Sequence, residues 1–459
     1  MVISPLRTAL LQNLAFSLAL SVAAAACTSK KSDGEGVTPP ALEAWDWNGV
    51  IGTGQSLAVG ATPSTSTTQP YNNLKLSLGS SGNAAVPPWD PMIAELAMVP
   101  LVEPIRPLAT GYPGPYPGNI YGETPHSAMA NQITALVKSA AADQDFVTVH
   151  TVVGESGQGI IALKKPADLS AATGTTGRAY AATLFEVTAI ARLAKEAGKS
   201  YGISVVVMTH GETDVGSPTY KDEVVQLLAD YNADIAAITG QTHKIPMYLS
   251  QQHGVPNGAA GQRPLVNQTQ WQLGVEHKDE FVCTGPQYQY PGNESNDGVH
   301  LASVGYAMLG EKTGQVYYER VLLGHDWQPL APTSVERNGR VVTVHLHVPV
   351  PPLAWDDELD APAIPEWVNG RGFELRGPAG NIVISSVEIV DDSVQITADS
   401  DLPASGLFVA YALSSQGVQM TAASKGVRWG QLRDSDPFVG LKTLAPNPNY
   451  ALSFDMPVP

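Results

Sequence analysis

Cysteine is nearly absent: the chain of 459 residues has two, Cys27 and Cys283. That excludes a disulfide scaffold and a cysteine-rich zinc or iron–sulfur site. Positive charge is scarce too, with 26 Lys and Arg against 43 Asp and Glu and a formal net charge of −17. A phosphate backbone needs clustered cations, so this balance argues against a nucleic-acid partner. It argues equally against a polybasic membrane-surface binder. Internal repeats of fixed period are missing. What is present is ample apolar material, 43% of the residues, too much for an intrinsically disordered chain. The length suits two or three domains. The 43 Gly and 36 Pro imply long, shaped loops.

The first residues read as an export signal. Arg7 supplies a positive start, and the run from Leu14 to Ala26 is apolar apart from Ser17 and Ser21. It is too short for a comfortable membrane span. Ala23 to Ala26 lead into Cys27, an arrangement that resembles the lipobox of bacterial lipoproteins, with Ala24 where that motif prefers Leu. An ordinary signal-peptidase cut after Ala-x-Ala stays open. The expectation is a lipoprotein signal over 1–27 with lipidation at Cys27. An exported lipoprotein in the periplasm, at the outer membrane or on the cell surface follows, touching membrane through a lipid anchor only. A polar, Gly-rich tether over 28–44 ends the leader. Cys283, inside Phe281-Val282-Cys283, reads as a buried strand residue and a poor nucleophile.

From 45 to 325, short apolar runs alternate with helical patterns. Strands are expected around Val50-Ile51, Phe146–Val153, Ile203–Met208, Ile245–Leu249 and Glu280–Cys283. Between them, Leu184, Val187, Ile190 and Ala194 repeat at helical spacing up to Gly198. Val224, Leu227, Leu228, Tyr231, Ile235 and Ile238 do the same up to Gly240. Strand–helix alternation implies a parallel sheet with helices on both faces. The stretch 60–125, rich in Pro, Gly, Asn and Tyr, reads as long loops. From 326 to 459 the pattern becomes period-two, at 341–348, 382–390, 394–397 and 407–413, with Pro and Gly between. A small all-β sandwich is expected there.

Three blocks carry chemistry. Gly52-Thr53-Gly54-Gln55-Ser56 follows the first strand, where a Ser on a tight turn can expose its hydroxyl and its N–H together. The same residues suit a Gly-rich turn with Ser capping a helix. Asp297-Gly298-Val299-His300 precedes the last helix. An Asp there can accept from Nδ1–H and leave Nε2 as a base, or the Asp can simply cap the helix. Thr209-His210-Gly211-Glu212-Thr213-Asp214 places polar groups at the end of an apolar strand, or caps a loop through Asp214. His345 and His347 share one strand face without a third ligand nearby, so no metal site is assigned.

Taken together, these blocks resemble the SGNH (GDSL-type) hydrolases, and most closely the sialate O-acetylesterase-like carbohydrate esterases, whose nucleophile motif is Gly-Gln-Ser. Gly54-Gln55-Ser56 matches that motif, Asp297 and His300 match its D-x-x-H block, and His210 to Asp214 match its Gln-Gly-Glu-x-Asp block. Two departures stand in the last: His210 replaces Gln, and Thr213 replaces the Asn that usually completes the oxyanion hole. The resemblance covers 45–325. It implies a three-layer, doubly wound α/β fold (SGNH, flavodoxin-like) and a Ser-His-Asp esterase without cofactor. The catalytic residues are then Ser56, His300 and Asp297. The oxyanion hole falls to the N–H groups of Ser56 and of Gly157, or Gly154 in its place, with a side chain from His210 or Thr213. Ser156, in Gly154-x-Ser156, is a decoy, since Gln158 breaks the G-x-S-x-G elbow. The implied substrate is an acetyl ester on carbohydrate. Gln55, Glu212, Tyr112 and Tyr116 are the expected substrate contacts. Trp89, Tyr121, Tyr288 and Tyr290 are further candidates for ring stacking. A catalytically silent surface carbohydrate-binding protein on the same frame and a lipase or polyester hydrolase are the competing readings.

Overall fold

The computed structural model describes residues 45–78, 89–105, 122–169, 175–253, 265–293, 297–357, 365–413 and 430–459. The signal with Cys27, the tether, and Tyr112, Tyr116 and Tyr121 lie outside the described residues.

The elements of the N-terminal part are β1 (Trp47–Gly54), α1 (Ser56–Val59), β2 (Leu74–Ser77), β3 (Ala97–Pro100), α2 (Pro125–Ala140), β4 (Thr148–Val152) and α3 (Thr175–Glu196). Next come β5 (Tyr201–Thr209), α4 (Tyr220–Thr239), β6 (Met247–Gln251), α5 (Leu265–Glu276), β7 (Phe281–Pro286) and α6 (Ser303–Tyr317). Seven strands form one sheet in the order β3-β2-β4-β1-β5-β6-β7. All neighbours are parallel except β3, which runs antiparallel to β2.

The uninterrupted apolar strands are explained by burial on both faces. In β5, Val205 and Val207 join Val50 and Tyr248 beneath α2 and α6, whereas Val206 and Met208 join Ile51 and Leu249 beneath α3, α4 and α5. Successive side chains point to opposite faces, so one hydrophobic run serves two cores. Helices α2 and α6 approach closely because Gly310 carries no side chain: a Cβ there would stand 2.0 Å from the Pro125 carbonyl oxygen. Cys283 is buried on β7, and burial pushes its thiol up to about 12.

Among the described residues the C-terminal part is built of β-strands with one short helical turn, Pro365–Trp367, in line with its period-two patterning. Its strands are β8 (Ala331–Asn338), β9 (Val341–His347), β10 (Ala354–Trp355), β11 (Phe373–Gly377), β12 (Gly380–Ile382) and β13 (Ile384–Val390). After them come β14 (Ser393–Ala398), β15 (Phe408–Tyr411), β16 (Leu432–Arg433) and β17 (Phe454–Pro457). Two antiparallel four-stranded sheets, β13-β14-β9-β8 and β12-β11-β15-β17, share one buried cluster. Val342, Val344 and Ile396 come from one sheet, Phe373, Val409 and Phe454 from the other. The two parts interlock through buried polar bonds. Gln251 at the end of β6 accepts from the Ser453 N–H (2.7 Å) and donates to the Ser453 carbonyl (2.9 Å), and the Tyr288 hydroxyl donates to the Ala451 carbonyl (2.7 Å).

Candidate active site

Strands β4, β1 and β5 are adjacent and parallel, so the loops leaving their C-terminal ends share one edge of the sheet. Those loops carry Gly154–Gly159, Gln55–Ser56 and His210–Asp214. At the end of β1, Gly54 has φ +140°, and a Cβ on it would lie 2.0 Å from the Thr209 carbonyl oxygen. Only glycine fits this close approach. The turn delivers Ser56 to the first position of the one-turn helix α1, where it is 8% exposed.

His300 arrives from the far end of the domain. A short antiparallel pairing holds it: the Asn293 N–H donates to the His300 carbonyl (2.9 Å), and the Ala302 N–H donates to the Pro291 carbonyl (2.9 Å). Leu57, next to Ser56, shares a buried cluster with Leu301, Tyr290, Tyr306 and Leu309. Apolar packing thus sets two sequence-distant residues side by side.

The result is a continuous hydrogen-bonded chain. Ser56 Oγ lies 2.7 Å from His300 Nε2, and His300 Nδ1 lies 2.7 Å from Asp297 Oδ2. A carboxylate accepts only, so Nδ1 carries the proton and Nε2 is left to accept from the serine hydroxyl. Asp297 Oδ1 also accepts the backbone N–H groups of Val299 (2.9 Å) and His300 (2.8 Å), and Asn293 Nδ2 donates to Oδ2 (2.9 Å). Burial opposes the charge on Asp297, but the hydrogen bonds from His300, Val299 and Asn293 outweigh it and hold the carboxyl well below its usual range. The side chains of His300 and Asp297 are 25% and 37% exposed, so the site opens at the surface.

The β4 loop is built rigidly. The Glu155 N–H donates to the Gly54 carbonyl (2.9 Å), and the Glu155 carboxylate takes a two-pronged bond from buried Arg178 (2.6 and 2.9 Å). Gly157 has φ +69°, is exposed, and faces open space. Gly154 packs against β1, where a Cβ would meet the Gly54 carbonyl oxygen at 2.4 Å. The decoy Ser156 has a buried Oγ with no hydrogen-bond partner among the described residues, so no imidazole activates it.

His210 differs from expectation. Its ring is fully buried against Tyr220, Nε2 meets the Gln158 carbonyl (3.1 Å) and Nδ1 meets the Tyr220 hydroxyl (3.3 Å). With both nitrogens engaged, the imidazole has no N–H left for an oxyanion. Burial also lowers it to about 4, which keeps it neutral. Its work is to hold the β4 loop, and Asp214 shares it by accepting the Ile160 N–H (2.6 Å) at the start of the short turn 160–163. Capping is therefore what Asp214 does here. Thr213 is exposed on the same loop.

Gln55 is buried at 2% exposure, and its Oε1 has no partner among the described residues. Glu212 is also buried, close enough for its charge to act on the Tyr220 and Tyr306 phenols. Neither offers a substrate much surface. Two of the stacking candidates are core residues instead, and a third packs against the core. Tyr288 and Tyr290 are fully enclosed, and half-buried Trp89 lies against Phe185 with ring centroids 6.2 Å apart. Sequence reasoning missed Asn293, Arg178 and the role of Glu155. Arg178 is a cation on the buried side of a helix, a visible oddity of patterning, whereas Asn293 leaves no local signal.

Fold and site together define a three-layer α/β protein with a serine–imidazole–carboxylate chain at the C-terminal edge of its sheet. The fold is shared with XAC1771 of Xanthomonas citri, a carbohydrate acetylesterase, at a TM-score of 0.52 and 11% identity, over 89% of this chain and 80% of that one. NanS is similar at a TM-score of 0.39 and 10% identity, covering 60% of this chain and 98% of its own. Est24 of Sinorhizobium meliloti, another carbohydrate acetylesterase, is similar at 0.31 and 14%, covering 59% and 97%. No family model and no curated protein matches the sequence.

Proposed function

We propose that the chain is a serine esterase that removes acetyl groups from carbohydrate. The single observation that carries this reading is the 2.7 Å and 2.7 Å chain from Ser56 through His300 to Asp297. His300 takes the hydroxyl proton as Ser56 Oγ attacks the ester carbonyl carbon, and passes it to the departing sugar oxygen. The acyl-serine is then attacked by a water that His300 deprotonates. That proton returns to Ser56 as acetate leaves. The Ser56 and Gly157 N–H groups receive the oxyanion. With the His210 ring engaged elsewhere, the exposed Thr213 is assigned the third donor. Removing one such donor typically lowers the rate about 10²–10³-fold. The Gly-Gln-Ser resemblance and the fold shared with XAC1771, a carbohydrate acetylesterase, support carbohydrate as the substrate class.

Purified soluble protein is tested on p-nitrophenyl acetate, on the C8 ester and on acetylated saccharides, beside Ser56→Ala. Turnover of the acetyl substrates that the variant loses supports the proposal. Equal rates in both proteins would return the molecule to a silent carbohydrate binder, and C8 outrunning C2 would make it a lipase or polyester hydrolase. The same proposal includes export as a Cys27-anchored lipoprotein. Radiolabelled palmitate incorporation surviving Cys27→Ala would remove that part.

A further inference from the structure

The nucleophile sits on a helix of one turn, Ser56–Val59, which has too few internal bonds to hold its own position. The segment 62–66, just beyond that helix, is held firmly by Glu123. Oε2 accepts the N–H groups of Thr65 (2.6 Å) and Ser66 (2.9 Å), Oε1 accepts the Ser66 hydroxyl, and the Glu123 N–H donates to the Thr62 carbonyl (2.9 Å). On its other side, the Ser303 hydroxyl donates to the Pro63 carbonyl (2.6 Å). Ser303 starts α6, three residues past His300. Segment 62–66 therefore ties the helix of the nucleophile to the helix behind its base.

Glu123 is fully buried, and its countercharge comes from the other end of the chain. Lys442, 319 residues away, places Nζ 2.6 Å from Glu123 Oε1, 2.7 Å from Thr65 Oγ1 and 2.5 Å from Ser66 Oγ. Burial works against the Glu123 charge, yet the bonds from Lys442, Ser66 and Thr65 keep its carboxyl below the ordinary value. The lysine is itself delivered with care. Glu311 Oε1 on α6 accepts the N–H groups of Lys442 (2.6 Å) and Thr443 (2.9 Å), and its Oε2 accepts the Thr443 hydroxyl (2.6 Å). Gln132 on α2 accepts the Leu441 N–H (2.8 Å), and Asn447 donates to the Met308 carbonyl (2.8 Å). Lys312 on α6 reaches back to Asp436 (3.3 Å) and Asn449 (3.0 Å).

We infer that the C-terminal segment 436–449 is a clamp on the esterase site, with Lys442 as a positioning residue that fixes the Ser56 helix relative to His300. This rests on the esterase reading and gives the β part a role in that site. Lys442 touches neither substrate nor reacting atoms. It acts through Glu123 and the 62–66 segment, and displacements of about 1 Å at a nucleophile cost on the order of 10²-fold in rate.

The test uses the whole mature chain and two readouts. For Lys442→Met, kcat on p-nitrophenyl acetate is expected to fall on the order of 10²-fold with KM changed by less than about threefold. Amide exchange of 62–66 is expected to quicken while the β5 core stays protected. Lys442→Arg should restore most of kcat, since it keeps the charge within reach of Glu123. If Lys442→Met does not fold, the pair Glu123→Gln with Lys442→Met, which buries no lone charge, is read in the same way. Wild-type kcat and wild-type exchange in the variant would overturn the clamp, as would a change in KM alone. Absence of Ser56-dependent turnover in the unaltered protein overturns the esterase reading instead, and the exchange of 62–66 still decides whether Lys442 holds that segment.

Discussion

Asp297→Asn isolates the electrostatic part of the site, because it changes one atom and leaves the shape. In the native protein Oδ1 accepts two backbone N–H groups at 2.9 and 2.8 Å, and an asparagine carbonyl can keep both. The Oδ2 position would become an NH₂. It would then face two donors, His300 Nδ1–H at 2.7 Å and Asn293 Nδ2–H at 2.9 Å. The imidazole relieves that clash by moving its proton to Nε2. The nitrogen beside Ser56 then donates rather than accepts, and it can no longer take the hydroxyl proton. Such a tautomer reversal lowers kcat by up to about 10⁴ in a serine–histidine–aspartate site. With Asp297 37% exposed, water can solvate part of the misplaced donors, so a loss of about 10²–10⁴ is expected here. That corresponds to about 3–5.5 kcal/mol of activation free energy. Thermal stability should move by only about 1 kcal/mol, because water competes for the hydrogen bonds of a carboxylate this exposed. The assay is kcat/KM on p-nitrophenyl acetate with a melting curve for each protein. A folded Asp297→Asn variant within tenfold of the parent would refute the assignment of His300 as a base oriented by this carboxylate.

Three further outcomes are expected from the buried charges and the loop contacts. Arg178→Met leaves the Glu155 carboxylate buried without its two-pronged partner, and breaking such a pair costs about 3–5 kcal/mol; an unchanged melting temperature would contradict this. Asp214→Ala removes the acceptor for the Ile160 N–H, so about 1 kcal/mol of stability should go, with a lower kcat as the Gly157 loop loosens; unaltered kinetics would separate that loop from the oxyanion hole. Burial raises Glu103 to about 7, against the bonds it takes from Thr124 and Ser127. In the unfolded chain a glutamate ionises near 4.3. Between those values the unfolded state has released the proton and the folded state has not. This group therefore erodes stability as pH rises from about 4.5 to 7, by about 3 kcal/mol in all. Glu103→Gln should flatten the fall of the melting temperature across that window, and parallel curves for the two proteins would disprove it.

Much of the fold is legible in local pattern. The apolar runs at 203–208 and 245–249 form β5 and β6 because a parallel strand covered on both faces must be apolar throughout. The helices ending near Gly198 and Gly240 keep their spacing of three and four. Strands β2 and β3 give no such signal, because they are four residues each inside a Pro-rich, loop-like stretch, and pairing at the sheet edge defines them. Helix α2 leaves a usable trace, since the Thr124 side chain accepts the His126 N–H and Pro125 stands in the first turn. In the site, Ser56, Asp297 and His300 are recognisable as blocks with characteristic spacing. His210 reads along the chain as an oxyanion donor, but in space its Nε2–H is spent on the Gln158 carbonyl, because its burial and that bond depend on how two loops meet.

By itself the sequence determined the periodicities, the tight glycine turn before Ser56 and the three-residue step from Asp297 to His300, since each depends on neighbours a few positions apart. Only the tertiary structure decided that the hydroxyl and the imidazole meet, that His210 faces inward, and that Lys442 neutralises Glu123 across 319 residues. Contacts over such separations arise from packing and desolvation, which act in space and leave no period along the chain.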